Sequence, residues 1–506
     1  MKKLLAILAA MVMLLGTLAG CTVPASTPQG GDTGKTEEAA PSDTAEADLP
    51  TLKCAHLCGS TPRDLALVEE KISEITRKEL GCNIELVPVE MGNMYDKMNL
   101  LLSGGEDSLD VYPIVMWSTL TGVVKNGQAL CLDDYMEEYG AALKDTIIWD
   151  YVSAGKVNGK QYGIPLFLGF ATTPVFDMDA EIAEKIGVED GYSTDLDGLT
   201  EIFRKIREVD PDTPLIATQN TYNASSNMVT RENVPIDGCG YACLMDYGQS
   251  DEVVSYYFSE QFEHLMGLFD IWSHELNAYM PDALSNSESK ADYYLANKAY
   301  GMFNQNIDAA LDANVYTNMG RKSIGINMPG GPLENPVNYF AVSSTTKYPE
   351  LSLQYIGLMA SNSDIENLLI NGIEGVNYVL TEEGTTALPE GVASRAESGW
   401  SGMSWANMNL TLCYPSEPGY WDYFVAANKA AKPSKAFGFV FDPEPVADEI
   451  SACDNVCNKY LVPFYVGAVT DYPATIEQFR NELTAAGVDK IVEECKKQFE
   501  EWLALQ

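Results

Sequence analysis

The sequence predicts an α/β fold, and three observations carry that expectation. Between Thr51 and Met116, apolar stretches of strand character alternate with stretches of helical spacing, in the order strand, helix, strand, helix, strand. That order belongs to a largely parallel sheet covered by helices. Beyond Pro165, further strand and helix patterns follow, enough for a second lobe. The length of 506 residues, 46% of them hydrophobic, supplies two or three lobes with substantial cores.

The chain starts with Lys2 and Lys3 and a nearly unbroken apolar run from Leu4 to Leu18. That run is short for a bilayer span and reads as a secretory signal over residues 1–20. It ends in Leu18, Ala19, Gly20 and Cys21, which resembles the lipobox of bacterial lipoproteins. The resemblance implies cleavage before Cys21 and lipidation of that residue. The alternative is an ordinary signal with a chance cysteine. Two or more acyl chains would hold the protein on a membrane where a single one holds it only marginally. Residues 21–49 are rich in Pro, Thr, Ser, Gly and acidic residues, the composition of a disordered acidic tether.

Order is expected from Pro50. Thr51–Cys58 reads as a buried strand ended by Gly59 and Ser60, and Leu65–Leu80 as a helix stopped by Gly81. Cys82–Val89 is a second strand, Tyr95–Leu102 a helix, and Asp110–Met116 a third strand. Ligands in such sheets sit at the carboxyl ends of the strands, here marked by Ser60, Trp117 and Ser118. The Trp117 indole either stacks on a sugar ring or caps the core. Asn158-Gly159 is a tight-turn signal, so Gly155–Pro165 reads as a hairpin whose pairing Pro165 ends.

Leu166–Phe176 is apolar and extended, and Asp177–Asp179 opens a helix. Thr200–Val209 is amphipathic, Leu215–Thr218 a short strand, and Ser255–Met280 one long helix with a core-facing aromatic stripe. Ala299–Phe303 is a strand ending at Asn304, Gln305 and Asn306, amides that either bond hydroxyls or close a turn. Lys322–Met328 is another strand.

The formal net charge of −41 argues against nucleic acid, anionic lipid and anionic ligands, and favours neutral or cationic solutes. Ten cysteines follow Cys21, with Cys-x-x-x-Cys spacing at Cys54/Cys58, Cys239/Cys243 and Cys453/Cys457. Free cysteines acting as small hydrophobes are expected rather than bridges. The histidines His56, His264 and His274 repeat no metal-ligand spacing, and no nucleophile motif, cofactor loop or phosphate loop is present. No cofactor, no metal and no enzymatic activity are therefore expected.

The order of lipobox, acidic tether, α/β lobe, the Gly159–Pro165 segment, second lobe and Tyr339–Glu350 resembles the extracellular solute-binding proteins of bacterial ABC transporters. The C-terminal third is similar to their LipO-like lipoprotein subgroup in Gram-positive bacteria, through Asn371–Tyr378, Ser404–Met408, Gly438–Pro443 and Ala485–Leu503. Ala406 stands where that pattern has a glycine. The resemblance implies a two-lobed, hinge-linked periplasmic-binding-protein-like fold of type II, with the ligand cleft between lobes. On that template lobe one takes residues 50–166 and 339–395, and lobe two takes 167–338 and 396–506. It further implies a monomer that captures a carbohydrate, an oligosaccharide by expectation, and hands it to permease subunits.

A sugar needs rings for its faces and amides or carboxylates for its hydroxyls. Ser60, Trp117, Ser118, Asn304, Gln305, Trp405 and Asn407 are the candidates at strand ends or family positions, with Glu374 and Tyr378 in the family segment. Glu374 is either a structural carboxylate or a ligand contact, and Trp400 with Trp405 either a mobile aromatic loop or a packed one. A surface glycoside hydrolase and a sensor for a membrane kinase are the competing function classes.

Overall fold

The computed structural model describes residues 49–105, 108–115, 117–166, 170–171, 173–218, 233–285, 288–306, 308–336, 338–403, 406–412 and 419–504. Residues 1–48, where a signal, a lipidated Cys21 and a tether were expected, and Trp405 lie outside the described residues. No helix among those described is long and apolar enough to cross a membrane.

The first sheet grows from local patterning. Strand β1 (Thr51–Cys58) alternates, burying Leu52, Cys54 and His56. Helix α1 (Leu65–Glu79) turns Val68, Ile72 and Thr76 inward at four-residue spacing. Strand β2 (Asn83–Glu90) then pairs in parallel with β1 along its length, and helix α2 (Met94–Leu101) leads to β3 (Val111–Ile114) on the other side of β1. The three parallel strands match expectation. After helix α3 (Leu120–Lys125), the further pairings in this sheet are antiparallel. Strand β4 (Gly163–Pro165) pairs with β8 (Tyr339–Val342), β8 with β3, and β9 (Gly402–Met403) with the end of β1. The turn before β4 takes its expected form, with φ of 51° at Asn158 and 76° at Gly159, the left-handed pair that a two-residue hairpin needs.

The second sheet is centred on β5 (Thr173–Asp179), which has β6 (Gly301–Asn306) and β7 (Ser323–Asn327) antiparallel on its two sides. Asp179 caps the helix Ala180–Ile186 by accepting from the amides of Glu181 and Ile182 at 3.1 Å. Helix α4 (Leu196–Val209) buries Leu199, Ile202, Phe203 and Ile206. The aromatic segment is broken where one long helix was expected. Ser259 caps a fresh start, so α5 runs Glu260–Asp270, and a π turn follows at Ile271–Glu275. The turn seats Trp272 in the core, its N–H on Thr200 Oγ1 at 2.8 Å and its ring against Phe203, Phe269 and Phe303. Tyr257, Phe262, Phe269 and Trp272 are all buried, as a core-facing stripe requires.

Helix α6 (Lys290–Leu295) precedes β6, and α7 (Ala309–Asn318) packs over β5 and β7. Helices α8 (Pro349–Ser361) and α9 (Ser363–Asn371) cover the first sheet. Helix α10 is Tyr420–Ala430, and α11 (Ala447–Tyr465), α12 (Tyr472–Ala486) and α13 (Val488–Leu503) close the second lobe.

Each lobe has its own large apolar core. The first also takes in Trp400, Ala406 and Phe424. All three lie beyond residue 395, the border expected for lobe one. Cys239, Cys243, Cys453, Cys457 and Cys495 are buried in or against the second core.

Candidate functional site

Pairing register shows which edge of each sheet faces the other lobe. Strand β4 leaves lobe one at Pro165, and β8 re-enters at Tyr339, whose partner on β3 is Ile114. The carboxyl end of β3, and of β1 and β2 beside it, therefore lies on the crossing side. In lobe two, β5 begins at Thr173 opposite Asn306 of β6, and Asn327 of β7 faces Val175. Both sheets thus present strand carboxyl ends toward the crossings, as ligand sites in α/β sheets do.

The crossings are tied together. Glu334 N donates to Phe170 O at 3.0 Å and Leu166 N to Asn338 O at 3.1 Å. The third crossing, after α10, joins them through Leu333 N on Lys432 O and Ser434 N on Leu333 O, both 3.0 Å. Buried Asn428 of α10 accepts at Oδ1 from Phe170 N and Ala171 N, at 3.0 and 3.1 Å. Asn335 of the second crossing donates to Phe439 O at 2.7 Å and accepts from Gly438 N, so the hinge is built from backbone and amide side chains.

On the lobe-one side the strand ends carry a polar rim. Thr61 donates from its N–H and its hydroxyl to Glu90 Oε1, both at 2.9 Å, which holds the Glu90 carboxyl below its ordinary range. Ser401 Oγ donates to Ser60 O at 3.2 Å. Asn377 Nδ2 reaches Asp64 Oδ2 at 2.9 Å and Ser398 O at 2.8 Å, fastening the family segment to the start of α1. Just past β2, the Tyr95 ring is 58% exposed.

The predicted residues scatter across this arrangement. Ser60 is exposed on the rim, and Ser118 is half-buried at the approach to α3. Trp117 is buried, its Nε1 donates to Pro113 O at 2.9 Å, and its ring tilts onto Tyr112, so it caps the core. Asn304 and Gln305 fall within β6, because its pairing with β5 continues to Asn306. Asn304 turns inward, with Nδ2 on Asp177 Oδ2 at 2.6 Å and on Tyr316 OH at 3.1 Å, while Gln305 is exposed. Glu374 is exposed on a turn closed by Gly375 N on Tyr378 O at 2.7 Å, and Tyr378 is buried, which raises its phenol pKa. Asn407 is buried under helices α8 and α9, its Nδ2 on Ala360 O and its N–H on Glu366 Oε1, a structural role. Trp400 is packed, stacking on His56 with centroids 4.9 Å apart.

Sequence reasoning missed Thr61, Glu90 and Tyr95 at the carboxyl end of β2, although the strand-end argument that chose Ser60 applied equally there. It also passed over the aromatic start of α10, where Tyr420 and Trp421 meet edge to face at 5.0 Å and Tyr423 is half exposed.

Among the described residues, two hollows are lined by one lobe each. A void of about 20 Å³ borders His56, Tyr355 and Met359 in lobe one, room for one water. A groove of about 490 Å³ runs between α5 and α12.

The sequence profile of the bacterial extracellular solute-binding proteins matches residues 59–365. The chain belongs to that family. A second profile, described as a domain of unknown function, matches residues 435–504. A curated relative, the carbohydrate ABC transporter substrate-binding protein of Streptococcus pneumoniae serotype 4, is 24% identical over 98% of this chain and 97% of its own. The crystal structure of the N-glycan transport solute binding protein from Streptococcus pneumoniae superposes with a TM-score of 0.72 at 20% identity, covering 90% of this chain and 99% of that one. The same protein in complex with Man5GlcNAc gives a TM-score of 0.60 at 20% identity over 90% and 99%. An HMO binding ABC-transporter associated solute binding protein from Bifidobacterium longum infantis gives 0.61 at 12% identity over 90% and 99%. The two-lobed fold is common to these proteins and this solute-binding protein.

Proposed function

We propose that this solute-binding protein captures a neutral oligosaccharide between its lobes and delivers it, unaltered, to ABC permease subunits. The observation that carries the reading is the end-to-end alignment with a carbohydrate ABC transporter substrate-binding protein. The rim chemistry supports it. Ser60, Thr61, Glu90 and Ser401 offer donors and acceptors to hydroxyls, and Tyr95 and Tyr423 offer ring faces. The charge of −41 opposes anionic sugars. Lipid on Cys21 would tether the mature protein to the outer face of the cytoplasmic membrane, with residues 22–49 as the leash. For the lobes we adopt 50–166 with 338–431, and 173–328 with 436–504, joined by the crossings between them.

The test is calorimetric titration and thermal shift of residues 50–506 against a glycan panel that includes Man5GlcNAc, maltooligosaccharides and uronic-acid oligomers. A neutral glycan should raise the melting temperature without releasing reducing ends. Release of reducing ends would replace the receptor with a glycosidase. A shift from peptides alone would retire the carbohydrate assignment.

A further inference from the structure

The second lobe buries a pair of carboxyl groups that binding does not account for. Asp177, on the central strand β5, is fully buried, and Asp312 projects from α7 toward it. One oxygen of each is satisfied by a neighbouring amide of β6. Asn304 Nδ2 donates to Asp177 Oδ2 at 2.6 Å, and Asn306 Nδ2 to Asp312 Oδ1 at 3.1 Å. The other two oxygens, Asp177 Oδ1 and Asp312 Oδ2, are buried and have no donor. The two side chains come within hydrogen-bonding reach of each other. Two ionised carboxylates cannot rest in that contact, because each would lack a donor on its inner oxygen and repel the other at low dielectric.

We propose that Asp177 and Asp312 hold one proton between them, in an O–H···O bond that fastens α7 to the central strand of the second sheet. Asp177 is the proton's home. It is the more buried of the two, and burial with the Asp312 charge beside it drives its pKa well up. Asp312 is the acceptor. The surrounding groups agree with a single negative charge. Lys290 of α6 faces the pair, its ammonium bonded to Phe303 O and its own pKa pushed down to about 8 by burial. Tyr316 of α7 and Tyr294 of α6 are neutral phenols, raised by burial, and Arg321 is committed to Asp179 at 3.3 Å. Asp177 sits in the body of the sheet, opposite Met302 of β6 and Gly325 of β7, and α7 crosses above it.

The sign follows from linkage. The folded state holds this proton above the ordinary carboxyl range of about 4, and the unfolded state does not. Stability therefore falls as pH rises from that range toward the pair's raised value, and levels off above it. When the proton leaves to solvent, the pair repels and α7 loosens first.

The test uses the full mature chain and does not depend on the ligand. Infrared spectra at pH 6 to 7 should show the C=O band of a protonated carboxylic acid that shifts in D₂O and is absent in Asp177→Asn. Melting temperature should drop between pH 6 and 9 in the wild type and stay nearly level in Asp177→Asn, whose amide N–H donates permanently to Asp312. If that variant does not fold, the wild-type infrared titration decides alone. Absence of the band across that range, or equal pH slopes in the two proteins, overturns the proposal. So does a wild-type melting rise with Ca²⁺ or Na⁺ that the variant lacks, which would put a cation in the proton's place.

Discussion

His56 is the residue whose surroundings most constrain its chemistry. It is 2% exposed on β1, stacks on Trp400, and its Nε2 is buried with no partner. Burial lowers its pKa from 6.5 to about 4. A histidine kept neutral in the fold but free to charge in the unfolded chain contributes stability that is fully present above about 6.5 and lost as pH falls toward 4. The shift is worth roughly 3 kcal/mol at most. Thermal melts from pH 7.5 to 4.5 should therefore fall more steeply in the wild type than in His56→Phe, which keeps the ring stack. Gly402 lies close beside this ring, where a Cβ would stand 2.7 Å from His56 Nε2, so the larger phenyl carries a packing cost. That cost is the same at every pH and leaves the slope comparison clean. Parallel curves would show that His56 charges without penalty.

Arg207 works at the scale of elements. It closes the last turn of α4, with its fork donating to the carbonyls of Leu276, Asp210, Thr213 and Asn277. Those carbonyls belong to the loop after α4 and to the exit of the π turn, so one side chain joins α4 to the end of the aromatic segment. Arg207→Lys keeps the charge and loses the planar fork, leaving two or three half-buried carbonyls without a donor. About 2 kcal/mol of stability should go, read as a lower urea midpoint at unchanged slope. A midpoint equal to wild type would mean that water replaces the fork. The same contrast explains what was legible in the sequence. Strands β1 to β3, helix α1 and the Asn158-Gly159 turn follow from patterns contained within each segment, and they were read correctly. Asn407 depended on a partner far along the chain, Ala360 O, which no local pattern announces, whereas Trp117 bonds Pro113 O only four residues back and its burial is decided by packing. The break at Ser259 was written in its capping chemistry but hidden by an unbroken aromatic run. Ser60 lies at a strand end as expected, because a strand end is a local feature, whereas Asn304 was placed at an end that pairing with β5 moved two residues onward.

For the whole molecule, the question is what sets the angle between the lobes. One visible link is an ion pair from Lys125 of α3 to Glu444 and Asp442 across the lobes. All three groups are about half exposed or more, so the link contributes little and fades with salt. The hinge bonds are different in kind. Asn428 is 2% exposed and its Oδ1 accepts from two consecutive amides of the first crossing, which have no water to replace it. Removing the acceptor leaves two buried N–H groups and costs about 2–4 kcal/mol. The cost falls where the first crossing leaves lobe one, because Phe170 and Ala171 pack with that lobe's core at its edge. Asn428→Ala should therefore lower the melting temperature modestly and, more tellingly, broaden the distribution of sizes in small-angle X-ray scattering of the unliganded protein. Raising the salt concentration in the wild type, which screens Lys125, should leave that distribution close to its low-salt form. Were the two results exchanged, with salt broadening the distribution and Asn428→Ala sparing it, the surface pair would set the lobe angle and the hinge amide would be packing alone.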